Sequence, residues 1–96
     1  MMILNVNREG QVNVGRGGDV LLDIANEDFR LHMMKEARVA EKNMKLAKRT
    51  IKVVGGRSQL WTTLMIRADK ELEYDKLQRM MKVCQDQGFT KFALRA

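Results

Sequence analysis

The last third of the chain, LWTTLMIRADKELEYDKLQRMMKVCQDQGFTKFALRA from Leu60 to Ala96, sets three hydrophobic periods end to end, and few architectures accept that order. Leu60 to Ile66 is an apolar run with β-branched members that ends in Arg67, Asp69, Lys70 and Glu71, so it predicts a strand running out into a loop. From Tyr74 onward Leu77, Met81, Cys84 and Gly88 follow steps of four, three and four, with Met80 and Val83 beside them, which is one side of a helix. Gly88 supplies the residue that takes positive φ just past a helix end. Thr90 to Leu94 then alternates, with Phe92 and Leu94 on one face. Two strands joined by one helix over short connections form a right-handed crossover, so these strands are expected to lie parallel in one sheet.

A chain of 96 residues, 45% of them hydrophobic, suits one small domain (1–96) with a modest core, a size at which dimerisation would help. With one cysteine, no intrachain disulfide can form and a multi-cysteine metal site is excluded. Cys84 falls on the apolar side of its helix and reads as a small buried hydrophobe, because the sole histidine, His32, lies in a different segment. The formal charge of +6 makes anionic partners plausible in general: nucleic acid, lipid head groups or an acidic cell-wall polymer. No stretch approaches the roughly eighteen apolar residues of a membrane span, and the N-terminus lacks the pattern of a secretory signal.

Upstream, Ile3, Leu4 and Val6 precede Asn7-Arg8-Glu9-Gly10, and Val12 and Val14 alternate with polar residues, which predicts a β-hairpin. Gly15, Gly17 and Gly18 lack the spacing of a phosphate-binding loop and read as a turn. Val20 to Ile24 fits either an extra strand or the first turn of the next helix. Asn26 is a good N-cap for a middle helix, Glu27 and Asp28 suit its positive end, and Lys45, Lys48 and Arg49 suit its negative end. Phe29, Met33, Ala37, Ala40, Met44 and Ala47 form an expected core stripe, and Lys35, Arg38, Lys42, Lys45 and Arg49 form a basic stripe on nearly the opposite side.

That basic stripe reads either as a solvated face or as an anion-binding surface. Between Asn26 and Leu60 nine basic residues face four acidic ones, so most of the net charge is regional, which favours binding over an even scatter. Ile51 to Gln59 reads as a link centred on Gly55-Gly56, and Trp61 as a core or edge-packing residue, with a partner-contacting aromatic as the alternative. His32 has no nucleophile and acid beside it in sequence, and the carboxylates Asp69, Glu71, Glu73 and Asp75 suit turn and capping roles. Asp69 in particular is expected to accept backbone N–H bonds, with Arg67 pairing either with it or with a partner's carboxylate. No enzymatic constellation, cofactor site or small-molecule substrate site emerges.

The segment MIRADKELEYDKLQRMMKVCQDQGFTKFAL resembles the end of the periplasmic domain of the ExbD/TolR family, the small subunits of proton-driven energising complexes in Gram-negative envelopes. The likeness rests on the strand ending in Ile66-Arg67-Ala68-Asp69, on Tyr74 opening the helix, and on Gly88-Phe89-Thr90-Lys91 leading into the last strand; the opening hairpin is similar too. The motif residues Arg67, Asp69, Tyr74 and Gly88 would then serve structure or partner contact. The resemblance implies an α+β two-layer sandwich of β-β-α-β-α-β order, a mixed sheet with two helices on one face. It further implies a homodimer at the periplasmic face of the inner membrane, preceded in the full-length subunit by a membrane helix bearing an aspartate, with an ExbB/TolQ-like membrane partner. Motion would pass to a TonB/TolA-like protein, and Lys35, Arg38, Lys42, Lys45 and Arg49 would meet the carboxylates of peptidoglycan. Two readings of other classes stand beside it: a small nucleic-acid-binding module using the Lys35–Arg49 helix face, and a ligand-sensing β-α-β domain.

Overall fold

The computed structural model describes residues 2–14, 20–47, 53–54 and 57–95. The chain opens with β1 (Met2–Val6), β2 (Gln11–Asn13) and β3 (Leu21–Asp23), followed by the helix α1 (Glu27–Leu46). A two-residue pair, β4 (Val53–Val54) and β5 (Arg57–Ser58), precedes β6 (Leu60–Ala68), α2 (Tyr74–Asp86) and β7 (Phe89–Arg95). Five strands make one mixed sheet in the order β3-β2-β1-β6-β7. β1, β6 and β7 are parallel neighbours, while β2 pairs antiparallel with β1 and β3 antiparallel with β2. The protein is an α+β two-layer sandwich.

Alternation decides the two faces of the sheet. Leu4, Val6, Val12, Leu64 and Ile66 are buried on the helix side, against Phe29, Met33, Ala37 and Met44 of α1 and Met80 and Cys84 of α2. Leu60 and Phe89, paired in register, close the end of this core. Residues of opposite parity, among them Ile3, Asn5, Met65 and Arg67, occupy the other face, which neither helix covers.

Local chemistry explains the joints. Asn7 Oδ1 accepts from the backbone N–H of Glu9 (3.1 Å) and Gln11 (2.9 Å), and Gly10 at φ 80° lets the hairpin turn back. Asn26, in extended conformation, accepts from Asp28 N at 3.0 Å and caps α1. In the first turn, the hydrogen bond from Arg30 holds the Glu27 carboxyl below its ordinary pKa. Gly88 at φ 107° releases the chain from α2 into β7.

Several expectations are revised. Val20–Ile24 contributes the strand β3, so the β-β-α-β-α-β order gains a third N-terminal strand and the β4–β5 pair. The outer edge of β2 takes it up: Leu22 pairs with Val12, Val14 N donates to Val20 O at 2.9 Å, and Ile24 N donates to Gly10 O at 3.0 Å. α1 stops at Leu46, so Ala47 is an exposed cap residue rather than the last member of the core stripe. The buried line of α2 centres on Met80 and Cys84; Leu77, Met81 and Val83 are half-buried and Tyr74 is exposed. Trp61 is 47% exposed, borders a depression with Ala40, Asn43, Met44 and Ala47 beside α1, and is not a core residue. Gly15, Gly17 and Gly18, Gly55-Gly56, and the helix-end cations Lys48 and Arg49 lie outside the described residues.

Candidate functional site

The C-terminal β-α-β unit creates the most distinctive local surface. β6 ends at Ala68, and Asp69 organises the loop that leads on to α2. Its N–H donates to Val6 O (2.9 Å), tying the loop to β1, its carboxylate accepts from Glu71 N (2.9 Å), and its carbonyl accepts from Leu72 N (2.9 Å). The expected turn role of Asp69 is therefore met. Arg8 reaches the same loop, with Nη1 3.4 Å from Glu71, an exposed contact across the hairpin and the β6–α2 connection.

This loop sets Tyr74 at the first position of α2, beside the end of β7. Between them runs a groove of about 270 Å³, lined by Ile66, Ala68, Asp69, Leu72, Tyr74, Leu77 and Leu94. Tyr74 is 67% exposed and Leu94 55% exposed, so two large apolar side chains stand at its mouth. β7 is also one of the two edge strands of the sheet, with β6 on one side and no strand on the other among the described residues. Half of its backbone hydrogen-bonding groups therefore face outward.

Of the motif residues, the structure brings Asp69 and Tyr74 to this groove. Arg67 projects from the opposite face of β6, is exposed, and makes no ion pair with Asp69. Gly88 lies at the other end of α2 and acts through its backbone. Sequence reading missed the exposure of Leu94. Its strand pattern was legible, but the last turn of core above it depends on how far α2 extends.

On α1, Lys35, Arg38, Lys42 and Lys45 are all exposed, as the stripe requires. Glu36 and Glu41 dilute it: Glu41 lies 3.2 Å from Lys45, and Glu36 lies 3.9 Å from His32. Arg49 lies outside the described residues. The surface is mixed rather than uniformly cationic, which weakens its field at a distance.

Cys84 is fully buried, and burial pushes its thiol up to about 12, so it is a packing residue and not a nucleophile. Among the described residues no group of three or more His, Cys, Asp or Glu side chains could hold a metal ion, and no helix is long and apolar enough to cross a membrane. No family model and no curated protein sequence matches the chain.

Proposed function

We propose that the chain is a protein-interaction domain of the ExbD/TolR kind, the periplasmic part of a subunit that passes proton-driven motion to a TonB/TolA-like partner. The observation that carries this reading is the outward edge of β7 beside the Tyr74–Leu94 groove. An edge strand offers a row of unpaired N–H and C=O groups, and a neighbouring apolar groove gives an added strand somewhere to place its side chains. The motif that supports the resemblance, from Ile66 to Leu94, is the segment that builds both features. One edge serves either of two functions, pairing with a second copy to form the homodimer or accepting a strand from the partner, which suits a subunit that must exchange contacts as it moves. The exposed Lys35, Arg38 and Lys42 add a surface for the carboxylates of peptidoglycan. In the full-length subunit this reading requires a membrane span of about 20 residues bearing one aspartate, an ExbB/TolQ-like partner around it, and a periplasmic location.

Hydrogen exchange combined with light scattering tests the proposal. The outward amides of β7 should exchange freely in dilute protein and slow when the concentration rises into a dimer, or when a TonB- or TolA-like segment is added. A particle that stays monomeric at high micromolar concentration, with β7 exchange unchanged by either addition, would overturn it.

A further inference from the structure

The mixed sheet has its two helices on one face, which leaves the other face of the parallel strands β1, β6 and β7 without a helix. On the uncovered face the register aligns two rows. Ile3, Met65 and Ala93 form an apolar row across the three strands, and Asn5, Arg67 and Arg95 form a polar row beside it. The polar row continues through Asn13 of β2 to Leu21 of β3. Ile3 is 44% exposed and Leu21 51% exposed. The Leu21 end of the polar row opens into a shallow depression of about 420 Å³ that includes Asn5, Asn13 and Arg67.

Arg67 and Arg95 are register partners on adjacent strands, and neither makes an ion pair among the described residues. Like charges placed directly across a strand pair destabilise it, so the arrangement is unfavourable until an anion joins it. Asp69 borders the same depression as Arg67 but makes no ion pair with it, its Oδ1 accepting instead from Glu71 N at 2.9 Å. The face therefore combines an apolar strip, exposed at Ile3 and half-buried at Met65 and Ala93, with two guanidinium groups that make no ion pair among the described residues.

The geometry points to this face as the docking surface for an amphipathic helix of a partner protein, whose apolar stripe covers Ile3, Met65 and Ala93 and whose carboxylates bind Arg67 and Arg95. A helix has the apolar stripe to cover this row and carboxylates on its flank for the arginines, and planar guanidinium groups suit carboxylates in paired hydrogen bonds. A second copy of the chain fits less well. A two-fold axis through the Met65 row would set Arg95 against Lys91 of the other copy, cation against cation. A nucleic-acid strand would satisfy the guanidinium groups but leave the apolar row uncovered. Neither row carries an aromatic ring on which a base could stack. This contact is independent of the β7 edge, so either can fail without the other.

The test titrates isotope-labelled protein with a synthetic Leu/Glu amphipathic helix of about 15 residues, long enough to hold helical structure, and with its Gln-for-Glu counterpart. Amide shifts of Ile3, Asn5, Met65, Arg67, Ala93 and Arg95 should move with the acidic peptide. Affinity should fall roughly tenfold or more in Arg67→Glu/Arg95→Glu, and likewise for the Gln peptide. Arg67→Gln/Arg95→Gln removes the charges without inverting them and reads the same loss if the first variant misfolds. Several outcomes would overturn the inference: no shifts at millimolar peptide, shifts centred on Lys35, Arg38 and Lys42, equal affinity in the variants, an oligonucleotide that displaces the peptide, or self-association through the same amides.

Discussion

Lys91 Nζ stands 5.0 Å from the centroid of the Trp61 ring, which ties β7 to β6. The contact lies where strand pairing slips, between the Leu60–Phe89 and Thr63–Lys91 partners. A cation over an indole face at an exposed site contributes about 0.5–1 kcal/mol. Lys91→Ala should therefore lower stability by about that amount in urea titration and shift the Trp61 emission. Unchanged emission would mean that the ammonium does not occupy this position in solution.

Asn26 should contribute more than its exposed position suggests. Its side chain accepts from Asp28 N at 3.0 Å, and α1 supplies four buried side chains to the core. Asn26→Ala should cost about 1 kcal/mol, and Asn26→Ser should recover most of it, because a hydroxyl caps as well as an amide. Equal midpoints for the two variants would show that capping is not the cause.

Gly88 occupies φ 107°, a region that side chains rarely adopt. Gly88→Ala should destabilise the domain by roughly 1–2 kcal/mol, and Gly88→Asn by less despite its larger side chain, since Asn tolerates left-handed backbone. The ranking, read from thermal unfolding, is the decisive measurement. If Ala and Asn cost the same, size rather than backbone conformation sets the penalty.

Cys84 gives a signed pH dependence. Burial raises its pKa from 9.0 to about 12, so the folded state holds the thiol proton more tightly than the unfolded chain does. Its contribution is complete below pH 9.0 and is lost as pH rises toward 12, because unfolding then releases a proton. Cys84→Ala should flatten the alkaline limb of the stability profile over that window while lowering stability at neutral pH through the lost packing. In the unaltered protein, thiol labelling at neutral pH should proceed no faster than opening of the core. Rapid labelling would contradict the burial.

Much of the architecture could be read along the chain because its evidence is local. Gly10 and Gly88 both take the positive φ that their positions imply, Asn26 caps α1, and Asp69 turns the chain after β6. The parallel pairing of β6 and β7 follows from a strand, a helix and a strand with short joints. Val20–Ile24 was ambiguous because a run so short carries too few periods to separate strand from helix, and pairing with β2 resolved it. Trp61 was harder still. A core or edge-packing place was expected for it, but it is 47% exposed at the point where the pairing of β6 with β7 slips, and a break in register is not written in a local period.

The order of residues alone determined the opening hairpin, the start of α1, and the strand, helix and strand of the last third, since caps, glycines and hydrophobic periods act over a few positions of chain. Only the tertiary structure decided which strands are neighbours, and with that the alignment of Arg67 with Arg95 and of Ile3 with Met65 and Ala93. Those pairs lie 28 or more positions apart in sequence, so no local period encodes their meeting. They are set by the burial of one sheet face against two helices, which leaves the other face to whatever else the protein touches.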